Sequence, residues 1–147
     1  MISELINTGL DSSECNNICK KCQRRGLGSV PLKIHRNITQ IPNLIAFELT
    51  PHYHNIRPDI RLYWHGPNGQ ESLILCGLIY GGHQHFTSRF IDNTGTVWYH
   101  DGMTTGSSCT QERTVTILDD TSWLQKTNEG KTLISCIYRN LKIGRST

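Results

Sequence analysis

The chain has 147 residues, enough for one domain, and 36% of them are hydrophobic, so it can form a core without being rich in one. Its net charge of +3, from 15 basic and 12 acidic residues, carries no sign of a nucleic-acid partner, and the one basic cluster, Lys20-Lys21 with Arg24-Arg25, reads as a solvated face. The longest apolar run, around Leu73 to Tyr80, is too short to span a bilayer and Met1 to Leu10 lacks the apolar stretch of a signal peptide, so a cytoplasmic or nuclear location with no membrane partner is expected.

In such a reducing compartment the six cysteines are expected as thiols or metal ligands rather than as a disulfide framework. Cys15, Cys19 and Cys22 follow one another at close spacing, and thiols on a tight turn can place their sulfurs at about 2.3 Å from one Zn²⁺. A structural zinc site takes four ligands; the segment offers three cysteines, with His35 the nearby supplement. Three reduced cysteines in a terminal segment are the alternative. Residues 1–29 are read as this partial zinc-binding segment and 30–147 as an antiparallel β domain.

Within the β domain, Val30 to Ile38 alternates and begins with Pro31, the mark of an edge strand or strand start. Leu44 to Leu49 is a compact apolar strand after the Ile41-Pro42-Asn43 turn. Thr50 to Gly69 is loop-like, carries His52, His54 and His65, and contains a short strand candidate at Ile60 to Trp64. His52 and His54 could share one face and bind metal, but no cysteine or carboxylate pair accompanies them at ligand spacing, which favours a solvated loop.

Leu73 to Tyr80 is a buried strand, and Gly81-Gly82 would supply a tight reversal, because glycine reaches positive φ at no steric cost. His85 to Ile91 is β-rich, Asp92-Asn93-Thr94-Gly95 is turn chemistry, and Val97-Trp98-Tyr99 begins a third strand. This β-meander places His83, His85, His100 and Asp101 at its corners, where an imidazole and a carboxylate can meet across strands. Such a pair is the back half of a nucleophile–base–orienter triad. Farther on, Arg113 to Leu118 reads as a strand, Asp119 to Ser122 as a cap for a short turn or helix holding Trp123 and Leu124, Asn128-Glu129-Gly130 as a turn, and Thr132 to Arg139 as the last strand.

The run Cys76 to Phe90, CGLIYGGHQHFTSRF, followed by Trp98-Tyr99-His100-Asp101-Gly102, resembles the histidine box of ubiquitin-specific proteases. The resemblance extends over about Cys15 to Arg139. It implies the palm half of a papain-like cysteine protease, an α+β domain that is mostly β, with His85 as general base and Asp101 as the residue orienting it. It also implies thiol-dependent isopeptide hydrolysis on ubiquitin or a ubiquitin-like protein. Cys19 and Cys22 take the place of the second CxxC of the family's zinc ribbon; its first CxxC would lie before the start of this chain. Two departures stand out: Gln84 replaces the family's usual Gly, and Asp101 follows Trp98 one position sooner than is usual.

No counterpart of the family's Asn-x-Cys nucleophile box is found. Cys76 and Cys136 fall inside apolar strands, where a thiol is a small hydrophobe, Cys15 lacks a following apolar helix, and Cys109 lies in a small polar loop after Asp101. Three readings follow: the C-terminal half of such a protease, split or truncated, whose missing N-terminal half, on a separate chain in the split case, supplies the thiol and the helical subdomain; a non-catalytic module that binds ubiquitin or another protein; or a small zinc-binding β domain. The first leaves one sheet face exposed and apolar.

Overall fold

The computed structural model describes residues 13–18, 20–26, 31–34, 40–49, 56–66 and 69–141. The chain is mostly β, built on an open antiparallel sheet of seven strands. A separate two-stranded pair joins β1 (Ser13–Ile18) to β2 (Pro31–Ile34), with the one-turn helix α1 (Lys20–Arg24) following β1. The sequence expectation of a strand after Val30 holds over four of its residues, but that strand pairs with β1.

The large sheet contains β3 (Leu44–Glu48), β4 (Arg61–Gly66), β5 (Gly69–Gly82), β6 (His85–Ile91), β7 (Thr96–His100), β8 (Thr110–Thr114) and β9 (Thr132–Asn140). Its order is β3-β9-β5-β6-β7-β8, with β4 added on β5. Leu73 and Ile74 pair with both β4 and β9, and Gly77 to Gly81 pair with both β6 and β9. Thus β4 and β6 take the same edge of β5 in turn, and β9 takes the other.

An apolar strand of this length needs to know which residues face the core, and a bulge decides it. Leu75 faces Tyr138 and Gly77 faces Ile137, so Cys76 is an extra residue without a partner on β9. The buried apolar side chains are Leu73 and Leu75 before it and Leu78 and Tyr80 after it. One extra residue has inverted the two-residue alternation, keeping the apolar set on one face as the strand twists. A second shift, between Ile79 and Tyr80, leaves Ile134 extra on β9, where burial passes from Leu133 to Cys136 and Tyr138.

That face forms the core with Leu62, Val97, Leu124 and Tyr138, and Phe47 packs edge-on against Tyr138 at 5.7 Å. On the opposite face Phe90 stacks on Trp98 at 6.0 Å, and Phe90 and Phe86 are 41% and 66% exposed. Two aromatic rings of this face are thus open to solvent. Glycine at 77 and 81 serves close packing there: a Cβ would meet Ile137 at 3.3 Å and Ile134 at 3.2 Å. Strand β8 runs Thr110–Thr114, several residues ahead of the expected Arg113 to Leu118, because Ile117 and Leu118 are exposed and Thr116 to Asp119 form a turn.

Arg89 is a charged residue buried in this otherwise largely apolar face, 3% exposed. Its Nε and Nη2 donate to the two oxygens of Glu112 at 2.6 and 2.9 Å, its Nη1 donates to the Lys126 carbonyl at 3.1 Å, and the guanidinium lies 5.0 to 5.7 Å from the rings of Tyr80, Trp123 and Tyr99. Removing one member of a buried pair leaves the other charge uncompensated. Arg89→Ala is predicted to cost about 3–5 kcal/mol in urea unfolding, and an Arg89→Met, Glu112→Met pair to recover most of it. Equal losses in the single and paired variants would show that the charge pair is not what matters.

Candidate functional site

β5 and β6 are joined by two residues, since Gly82 pairs with His85. His83 (φ 53) and Gln84 (φ 59) both adopt the left-handed conformation, the geometry of a type I′ hairpin turn. The reversal is therefore not at Gly81-Gly82, as composition led us to expect. Those glycines remain in the strand, and two bulkier residues carry the φ > 0 positions. The position where the protease family usually has Gly is one that favours Gly on conformational grounds.

The tight turn fixes where β6 starts, and β6 alternation then puts His85 on the same face as Thr87 and Arg89. Ser88 pairs with His100, so Asp101 lies just past the end of β7, diagonally across from His85 on that face. His85 Nε2 and Asp101 Oδ1 are 2.6 Å apart, and Asp101 is 2% exposed. The missing residue between Trp98 and Asp101 does not prevent the contact that the sequence led us to expect.

Asp101 is held from several directions. Its Oδ1 also accepts from the Met103 amide at 3.0 Å, its amide donates to Thr105 Oγ1 at 3.3 Å, and its carbonyl accepts from the Thr105 amide at 2.7 Å and the Thr105 hydroxyl at 2.8 Å. The bond to His85 chiefly, helped by the Met103 amide and by the charges of His85 and Lys131, holds its acid down to about 2 against the opposing effect of burial. An ionised carboxylate only accepts, so Nε2 carries a proton directed at Asp101. Among the described residues, no hydrogen bond engages Nδ1. The site presents an imidazole oriented through Nε2.

It opens into a shallow cleft of about 470 Å³ lined by His83, Gln84, His85, Asp101, Met103, Thr104, Glu129 and Lys131. Lys131 and Glu129 carried no signal in the sequence beyond an Asn-Glu-Gly turn followed by a lysine. Among the described residues, no other histidine bonds the pair: His100 Nε2 bonds the Gly106 carbonyl at 2.9 Å and His65 is on β4, while His35, His52 and His54 lie outside the described residues.

The described thiols are placed away from the base. Cys136 is fully buried and pushed up to about 12, first by burial and then by the charge of Asp59. Cys76 is raised by burial and lies 3.4 Å from the Ile137 carbonyl, and Cys109 is exposed ahead of β8. For the zinc reading, Cys15 is on β1 and Cys22 in α1, not on one tight turn; their side chains, and Cys19 entirely, lie outside what is described. Among the described residues no three His, Cys, Asp or Glu side chains converge as for a metal, and no helix is long and apolar enough to cross a membrane. No protein-family model matches the chain, and no curated protein matches it.

Two predictions follow from this geometry. Gln84→Gly removes a left-handed cost of about 1–2 kcal/mol at the price of about 0.5–1 kcal/mol of chain entropy, so it should stabilise the fold by about 0.5–1 kcal/mol in urea unfolding; destabilisation would mean that the Gln84 side chain, not its backbone, matters. Asp101 and Asp92, the latter held by Thr94 and Trp98, both sit near 2. A carboxyl depressed in the folded state contributes stability above its unfolded value of about 3.9 and loses it as pH falls toward 2. Denaturant titrations should therefore show stability falling between about pH 4 and 2, with a shallower fall in Asp101→Asn and Asp92→Asn; an unchanged slope would contradict the depressed acids.

Proposed function

We propose that this chain is the base-bearing half of a thiol-dependent isopeptide hydrolase of the ubiquitin-specific protease kind, with a palm-like sheet that carries His85 as general base and Asp101 as its orienter. The reading rests on one observation above all: the 2.6 Å contact of Asp101 with His85 Nε2, with Nδ1 left open to the cleft. In the reaction, a thiol brought to Nδ1 gives its proton to His85, and the resulting thiolate attacks the isopeptide carbonyl of a ubiquitin-like C-terminus. The imidazolium, stabilised by Asp101, returns the proton to the leaving lysine amine, and water then releases the acyl group from sulfur. The thiol comes from outside the described residues, a second chain being the reading we favour. A structural zinc on Cys15, Cys19 and Cys22 belongs to the same proposal but takes no part in these steps.

A second reading, a non-catalytic module that binds ubiquitin or another protein, is favoured by the exposed Phe86 and Phe90 beside Trp98. Reaction of the purified chain with a ubiquitin probe bearing a thiol-reactive C-terminal warhead separates the cases, run beside His85→Ala, Cys109→Ser and Cys15→Ser. No labelling of folded protein is expected, together with NMR shifts at Gln84, His85 and Met103 on adding ubiquitin to about 1 mM. Labelling that disappears in His85→Ala and in one cysteine variant would overturn the incomplete site. Shifts confined to Phe86, Phe90 and Trp98 would favour the binding module, and no shifts at all would remove ubiquitin as the partner.

A further inference from the structure

Lysine is among the residues least often buried unless it is paired. Lys131 is 5% exposed, and its ammonium sits between two carboxylates: it contacts Glu129, and it lies 3.7 Å from Asp101 Oδ2. Asp101 is therefore shared. One oxygen holds the His85 ring and the Met103 amide, and the other faces the ammonium.

The loop delivering this lysine is tied down at both ends. The Lys126 carbonyl accepts from Arg89, and Lys126 bridges to Thr132. The Thr127 amide donates to the Lys131 carbonyl at 2.9 Å, and the Lys131 amide donates to Thr127 Oγ1 at 3.1 Å. The Lys131 backbone also packs on Gly82, where an added Cβ would lie 3.5 Å from its Cα. The Lys131 backbone is thus held beside the turn by contacts that do not depend on its charge, and the ammonium reaches Asp101 and Glu129 from there.

We propose that Lys131 is a positioning residue that sets the proton affinity of His85 through their shared carboxylate, with Glu129 as its counter-charge. The inference rests on the reading of His85 as a base. A lone buried carboxylate favours imidazolium, which cannot accept a proton; a cation on the carboxylate's other oxygen weakens that preference. The ionisable groups facing His85 are His83 from the turn, Asp101 from the end of β7, and Glu129 and Lys131 from the loop before β9.

The test is an NMR titration of the His85 ring proton in the full chain, comparing wild type with Lys131→Met and Glu129→Gln. Removing the cation should raise the midpoint by about one unit, the size expected for a charge a few ångströms beyond a contact pair. Removing the anion should lower it, because the ammonium is then uncompensated. A lysine with a merely structural role would change the melting temperature and leave both midpoints in place, which would overturn the proposal, as would shifts of the same sign. Should Lys131→Met fail to fold, Glu129→Gln decides alone, since Glu129 is 49% exposed: a lowered midpoint supports the proposal and an unchanged one rejects it. No thiol or ubiquitin enters the measurement, so a failed titration and a failed probe reaction remain separate results.

Discussion

A buried guanidinium organises this sheet. Arg89 occupies a position that alternation assigns to the core, and everything around it answers to that charge. Glu112 on β8 neutralises it, three aromatic rings surround it, and the Lys126 carbonyl accepts from its Nη1. Arg113 stacks on the other partner of the group, at 3.9 Å from the Trp123 ring, and Tyr80 donates to the Leu124 carbonyl at 2.8 Å. Four strands and the 3-10 turn Ser122–Gln125 therefore meet at one polar cluster that tolerates little displacement, since any movement exposes a charge to an apolar face.

The site inherits this rigidity. His85 lies four residues before Arg89, on the same strand and the same face, while Lys126 opens the loop that ends at Lys131. The cluster thus sets both the ring and the ammonium on either side of Asp101. Strain at His83 and Gln84 is sustained for the same reason: β5 and β6 are fixed by their pairing, and two residues remain to span the gap. Left-handed backbone at a cleft wall is here a consequence of where the strands must end.

Local chemistry made much of this legible in the sequence. The apolar run of β5, the Asp92 to Gly95 turn and the alternation of β6 each depend on neighbours in the chain. Asp92 indeed accepts from the Thr94 and Thr96 amides and the Trp98 indole. His85 and Asp101 were legible for the same reason, being joined by a short hairpin. What failed to show was non-local. Pairing of β5 with β9 brings together Cys76 and Ile137, 61 positions apart, and no periodicity announces the bulge that results. Lys131 likewise reads as a solvated lysine until β9 carries it under the turn. The glycine pair misled because close packing against Ile134 and positive φ both call for glycine, and composition cannot tell them apart.

The position of the base also bears on where a thiol can come from. The two ring nitrogens of an imidazole point away from each other, and Asp101, at the end of β7, occupies Nε2. Anything that reaches Nδ1 must approach from the side away from β7. Cys109 immediately precedes Thr110, which pairs with Tyr99, so it sits at the start of β8, two strands from β6, or about 10 Å across the sheet. Cys76 is on the face opposite His85, and Cys136 is sealed in the core. The proposed chemistry therefore asks for a thiol carried by an element that packs over the open side of the cleft. The same strand that offers the base turns its next residue, Phe86, to the uncovered face, so a partner gripping that aromatic would bear directly on the backbone that holds His85.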